Sequence, residues 1–145
     1  VKWQVNSLLE QMFENFDSHY SNIAFLNNDY LFDHNYDLYE LLGDTDFLMT
    51  DFSSIYFDYL HLNKPIIFIT NYLKQYEKVR GLLMGPYEEI TPGICVNSQK
   101  ELLGNLDELD NRQIHNRRLY WLDLTNQVKG KNYCEQAFNA MTQNN

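Results

Sequence analysis

The sequence predicts an α/β domain built on a short parallel sheet. After Asp46, Phe47-Leu48-Met49 is a short apolar run that turns through Thr50-Asp51-Phe52-Ser53-Ser54 and continues as the amphipathic pattern Ile55-Tyr56-Phe57-Asp58-Tyr59-Leu60. That order reads as buried strand, tight turn and helix. Ile66-Ile67-Phe68-Ile69, bounded by Asn63-Lys64-Pro65, is a second apolar run. It suits a parallel neighbour reached through a crossover helix. Composition agrees: 145 residues that are 44% hydrophobic and 15% aromatic suffice for one packed domain and argue against a disordered chain.

The remaining elements follow in chain order. Residues 1–5 read as the remnant of a strand, and Asn6 as the cap of a helix over 7–18. There Leu8, Leu9, Met12, Phe13 and Phe16 recur at helical spacing. Residues 23–26 read as a short buried strand and 27–35 as a polar loop carrying Asp29, Asp33 and His34. With no helix or strand to fix their spacing, these three side chains fit a solvated loop better than a metal site. Residues 37–42 are a short helix with Asp37 as its cap and Gly43 as its stop. Pro92-Gly93 is a turn signal, and 94–96 a short strand. Asn97 or Ser98 caps a helix reaching about residue 109, with Ser98 and Glu101 forming a capping box. Two further helices are expected over 111–127 and 132–141, and Arg112, Arg117 and Arg118 form a basic patch on a solvated face.

A formal charge of −9 argues against broad nucleic-acid binding, which depends on clustered cations. It leaves room for a local phosphate pocket, since nearby amides and one or two basic residues outweigh distant acidic surface. Cys95 and Cys134 lack metal-ligand spacing and read as small buried apolar residues in a reducing cytoplasmic setting. No apolar run nears the roughly 20 residues of a membrane span, so membrane contact is expected to be peripheral. Val, not Met, stands first, so the chain reads as a piece of a longer protein. No metal ligand set or cofactor motif is found.

The central turn carries the chemistry. The leading N–H groups of a helix lack intrahelical partners, and the helix dipole adds partial positive charge beside them. Thr50, Ser53 and Ser54 place hydroxyls at the same point, the carboxyl end of a strand, where open α/β sheets bind ligands. A phosphate or diphosphate suits that geometry. The plainer alternative is that Asp51 or Ser53 only caps the helix. Downstream, Arg80 is the one guanidinium of the central stretch, and its fork matches phosphate bidentately. A surface ion pair with Glu77 or Glu88 is the competing role.

Thr50-Asp51-Phe52-Ser53-Ser54 with Phe57-Asp58 and then Lys64-Pro65-Ile66-Ile67-Phe68 resembles the signature of the CDP-glycerol glycerophosphotransferase family. These are the teichoic-acid polymerases and related capsule enzymes of bacteria. The likeness continues through Tyr76, Arg80-Gly81, Pro92-Gly93 and Gly130-Lys131, covering residues 37–140. It implies a Rossmann-like three-layer domain, the C-terminal nucleotide-binding half of a GT-B fold, over residues 1–145. It also implies a donor site made of Thr50, Asp51, Ser53, Ser54, Asp58, Tyr76, Arg80 and Gly81. Asp37, Glu88 and Glu89 resemble family residues near the sugar or polyol, although capping for Asp37 and solvated-loop roles for Glu88 and Glu89 fit them better.

The resemblance further implies transfer of polyol phosphate from CDP-glycerol, or a related CDP-polyol, to a lipid-linked acceptor for teichoic-acid or capsular polymer. That work belongs at the inner face of the bacterial cell membrane. The family's catalytic histidines include one in a His-Pro motif, and none of His19, His34, His61 or His115 precedes Pro. The expectation is therefore a half-domain that binds donor and is inactive alone. A degenerate GT-B module that binds nucleotide or a partner without catalysis is the alternative. A domain acting on another nucleotide sugar is a third reading.

Overall fold

The computed structural model describes residues 21–24, 26–82, 84–126 and 132–142. The expected strand over 1–5, the helix over 7–18, His19 and Gly130-Lys131 lie outside them. The chain divides into two compact units between Leu41 and Leu42.

In the first unit, α1 (Asn28–Asp33) replaces the loop expected over 27–35. Asn27 makes it possible by accepting the Tyr30 N–H at 2.7 Å, satisfying one of the free donors at a helix start. His34 stacks on Tyr30, with ring centroids 4.0 Å apart, and its Nδ1 lies 2.9 Å from the Tyr30 carbonyl. The run 23–26 is not a strand where described, and Ile23 and Leu26 are exposed. A four-residue apolar run carries no periodicity of its own, and here Asn27 diverts the chain into a helix. The next helix, α2 (Leu38–Gly43), starts on Asp37, whose Oδ1 accepts the Tyr39 N–H at 2.7 Å. Capping is thus the role seen for Asp37.

The second unit holds the sheet. Strands β1 (Leu48–Thr50), β2 (Ile66–Ile69) and β3 (Ile94–Val96) are parallel and lie in the order β1-β2-β3. Leu48 pairs with Ile66 and Ile67 with Ile94. β2 is central, and Ile66, Ile67 and Phe68 are wholly buried, as a continuous apolar run in a parallel sheet demands. The β1–β2 crossover is α3 (Ile55–Tyr59) running into a 3₁₀ turn (Leu60–Leu62). The β2–β3 crossover holds α4 (Leu73–Arg80) and α5 (Tyr87–Ile90). After β3 come α6 (Gln99–Gly104), a 3₁₀ turn (Leu106–Glu108), α7 (Arg112–Thr125) and α8 (Tyr133–Thr142). The α/β class with a short parallel sheet is therefore present.

One sheet face carries the core: Ile66 and Phe68 pack with Tyr56, Tyr59 and Leu60 from the first crossover, Tyr87 and Ile90 from α5, and Trp121 from α7. Because side chains alternate along a strand, Met49, Ile69 and Val96 point to the other face. There, with Leu102 of α6, they line a cavity of about 270 Å³ rimmed by Asn71, Asn97, Ser98 and Gln99.

Several local expectations change. Gly43 ends α2 without a left-handed φ, and the Lys64 ammonium closes that end instead, donating at 2.6 Å to the carbonyls of both Gly43 and Thr45. Pro92-Gly93 is a buried bend, not a surface turn. A Cβ on Gly93 would stand 2.1 Å from the Ile66 carbonyl oxygen, so the residue serves close backbone approach to β2. Ser98, not Asn97, caps α6: its Oγ accepts the Glu101 N–H at 3.2 Å, while Glu101 accepts the Asn97 N–H at 2.7 Å. That helix stops at Gly104, short of the expected 109.

The basic patch dissolves. Arg118 is fully buried, paired with Asp110 and donating to the Asn63 carbonyl at 3.4 Å. Arg117 donates to the carbonyls of Glu88 and Thr91 at 2.7 and 2.8 Å. Cys95 and Cys134 are exposed, against expectation, because Cys95 sits on the outer strand β3 and Cys134 on a helix without buried residues. The Cys95 sulfur still touches the Thr91 hydroxyl at 3.5 Å, and partial burial pushes its thiol pKa up.

Candidate functional site

The turn after β1 is the point to which most of the sequence-selected residues converge. Thr50 ends the strand buried, whereas Asp51, Ser53 and Ser54 are exposed. The serines make few internal demands. Ser53 Oγ accepts the Ile55 N–H at a long 3.4 Å, and Ser54 starts α3 with no side-chain capping bond. Both hydroxyls therefore remain available to a ligand, and the capping alternative accounts for little of either.

The helix behind them is short, as the run Ile55–Leu60 suggested. α3 has only 5 residues before it tightens into the 3₁₀ turn. A helix of that length sums few peptide dipoles, so the hydroxyls and nearby cations carry more of any anion recognition than the helix end does.

Aromatic rings hold the turn in place. Phe52, half-buried, stacks on Tyr76 with centroids 4.2 Å apart and planes 19° from parallel. Its ring also meets Tyr87 edge-on at 5.2 Å. The Tyr87 hydroxyl donates to the Asp51 carbonyl at 2.6 Å, and the Tyr56 hydroxyl donates to the Ile90 carbonyl at 3.2 Å. Each tyrosine thus ties its own crossover to the other one. Burial pushes the Tyr56 phenol up to about 12. It raises Tyr87 as well, with smaller pushes from neighbouring Cys95, Tyr56, Asp51 and Tyr76.

The Phe52–Tyr76 stack brings α4 to the turn. Arg80 follows Tyr76 by four residues and shares its helix face, about one turn further along. Arg80 is exposed and forms no ion pair among the described residues, so the expected partnership with Glu77 or Glu88 is not made. Gly81 closes α4 with φ 73 and ψ 170, a conformation open chiefly to glycine. Asp58 is exposed near the far end of α3. Thr50, Asp51, Ser53, Ser54 and Tyr76 are thus gathered, Arg80 and Gly81 lie at the end of the stacked helix, and Asp58 stands apart.

Sequence reasoning missed Phe52 and Tyr87 as the residues that fix the turn, since an aromatic in a loop carries no spacing signal. It also missed the burial of Arg118. The stripe Ile114–Arg118–Trp121, at helical spacing, held that information.

Comparison with known proteins finds relatives named as teichoic acid primases and polymerases. A poly(glycerol phosphate) polymerase of teichoic acid from Bacillus subtilis (strain 168) is 31% identical over 74 residues, covering 50% of this chain and 10% of that protein. The teichoic acid ribitol-phosphate primase of Bacillus spizizenii (strain ATCC 23059 / NRRL B-14472 / W23) is 33% identical over 82 residues, or 54% of this chain and 21% of the relative. The teichoic acid glycerol-phosphate primase of B. subtilis (strain 168) reaches 41% identity over 80 residues, again 54% and 21%. The chain thus spans about a fifth or less of these relatives' lengths. The family model for CDP-glycerol:poly(glycerophosphate) glycerophosphotransferase matches residues 12–137, reaching further toward the start of the chain than the quoted motifs, and the chain belongs to that family.

Proposed function

We propose that this chain is the donor-binding half of a glycerophosphotransferase acting on CDP-glycerol or a related CDP-polyol in teichoic-acid or capsular polymer synthesis. In this reading the three-stranded sheet is the centre of a Rossmann-like domain, one half of a GT-B fold. The observation that carries the proposal is the pair of exposed hydroxyls, Ser53 and Ser54, in a family-matching turn at the carboxyl end of β1. The relatives' names mention both glycerol phosphate and ribitol phosphate, so the polyol is assigned only as a class.

The reaction breaks the diphosphate bridge. An acceptor hydroxyl oxygen attacks the phosphorus that bears the polyol, a new P–O bond forms, and the bridging oxygen leaves with its electron pair as part of CMP. The hydroxyl proton passes to a base. Ser53, Ser54 and the Arg80 fork serve the charge that gathers on the departing phosphate. Thr50, Asp51, Tyr76 and Gly81 shape the turn and the helix end that hold them, and Asp58 is assigned to the ligand's periphery. The base is not assigned to this chain, which has no His-Pro. Donor binding without turnover is therefore the activity proposed for it alone. The lipid-linked acceptor and contact with the inner membrane face belong to the protein with its remaining half.

Calorimetric titration with CDP-glycerol, CMP and a UDP-sugar tests the reading. Binding of the two cytidine nucleotides in preference to the UDP-sugar supports it. Preference for the UDP-sugar favours a different GT-B transferase, and no nucleotide binding at all leaves an interaction module.

A further inference from the structure

We infer that Tyr87 is a positioning residue of the donor site, acting through the Asp51 carbonyl to preset the Ser53–Ser54 turn. The inference rests on the donor-site reading above. Among the described residues, the Tyr87–Asp51 bond at 2.6 Å is the one hydrogen bond tying the backbone of residues 51–54 to a distant element. The other bonds there are local, from Phe57 N–H to the Ser54 carbonyl and from Ile55 N–H to Ser53 Oγ. The serines are exposed and without firm partners, so the backbone alone aims their hydroxyls.

Tyr87 is itself held on every side. It is 3% exposed, and its ring meets Phe52 and Phe68 edge-on. Its carbonyl accepts the Thr91 hydroxyl at 3.0 Å, and α5 is closed by Tyr56 at Ile90 and by Arg117 at Glu88. A donor hydroxyl fixed this way transmits the rigidity of the core to a loop, which lowers the ordering cost of binding a charged ligand.

The test compares calorimetric affinity for CDP and thermal stability in the wild-type chain, Tyr87→Phe, Ser53→Ala/Ser54→Ala and the triple variant. Tyr56→Phe, which loses a hydroxyl bond at the opposite end of α5, is the matched control. The expected result is a roughly five- to tenfold weaker Kd for Tyr87→Phe, no further loss when it joins the serine substitutions, and affinity within about twofold of wild type for Tyr56→Phe. Wild-type affinity in Tyr87→Phe, equal effects of the two tyrosine variants, or additive losses would overturn the inference. If the serine substitutions leave CDP binding unchanged, or the wild-type chain does not bind CDP, the donor-site reading itself fails and Tyr87 loses its role with it. Should Tyr87→Phe not fold, hydrogen exchange on the wild type decides. Amides 52–55 protected without ligand support a preset turn, and protection gained only with CDP overturns it.

Discussion

Phe52 and Tyr76 lie face to face, 4.2 Å between ring centroids, although 24 positions separate them in the chain. This stack joins the turn after β1 to the middle of α4, the helix that carries Arg80 about one turn beyond Tyr76. In the donor site proposed above, the exposed Ser53 and Ser54 hydroxyls and the Arg80 guanidinium, which forms no ion pair among the described residues, are the groups offered to the diphosphate.

Replacing Ser53 and Ser54 together by Ala should weaken CDP-glycerol or CMP binding by about 1–3 kcal/mol, the usual cost of deleting such hydrogen bonds. Both side chains are exposed and Ser54 makes no cap, so the melting temperature should move little. Unchanged affinity in a folded variant would remove the phosphate role from this turn.

Arg80→Lys keeps the charge but replaces a planar fork by a point donor. If Arg80 grips phosphate bidentately, affinity should fall by about tenfold while urea unfolding is unaffected. Exposure without an ion partner among the described residues is the reason to expect no stability change. Full affinity with Lys would reduce the contact to a general electrostatic one.

The parts legible in the sequence were those set by local rules. The apolar runs that became β1 and β2, the Asp37 cap, and the strand over 94–96 depend on neighbours a few positions away. What stayed hidden depends on distant partners. Lys64 closes the end of α2 through the carbonyls of Gly43 and Thr45. Arg118 looked like surface charge, yet folding buries its head group against Asn63 and the partly exposed Asp110. Within the candidate site, the polar residues were found from their chemistry, but their supports Phe52 and Tyr87 are visible only after folding brings the two crossovers together.

Gly93→Ala should be the most damaging single-methyl change in the second unit. The added Cβ would lie 2.1 Å from the Ile66 carbonyl oxygen and 2.9 Å from its carbon. Both are backbone atoms of the central strand and cannot swing aside, so β3 must separate from β2. A loss on the order of 3 kcal/mol or more in denaturant unfolding is expected. A loss below about 1 kcal/mol would mean that the β2–β3 spacing tolerates expansion.

Asp110→Ala strands the fully buried Arg118 guanidinium, whose Nη1 already has no partner among the described residues. A cost of about 2–4 kcal/mol is expected, toward the lower end because the Asp110 side chain is 57% exposed. Adding Arg118→Met to that variant removes the stranded charge and should restore part of the loss, since an apolar side chain of similar length suits the site. A double variant less stable than Asp110→Ala would show that the Asn63 bonds, not charge neutralisation, dominate.

The two buried tyrosines predict an alkaline weakness. Burial holds the Tyr56 phenol at about 12, against 10.0 in the unfolded chain, and raises Tyr87 as well. Above pH 10 the unfolded state releases these protons while the folded state keeps them, so the unfolded state binds fewer protons and stability falls as pH rises. Below pH 10 both states are protonated and the contribution is fully present. It should then be lost through the window from about 10 to 12. Tyr56→Phe, at constant ring packing, should flatten that decline in melting temperature, and Tyr87→Phe should do so independently. Parallel curves for wild type and both variants would mean that the buried hydroxyls ionise as easily folded as unfolded. The brace between the two crossovers would then have to be looser than bonds of 2.6 and 3.2 Å allow.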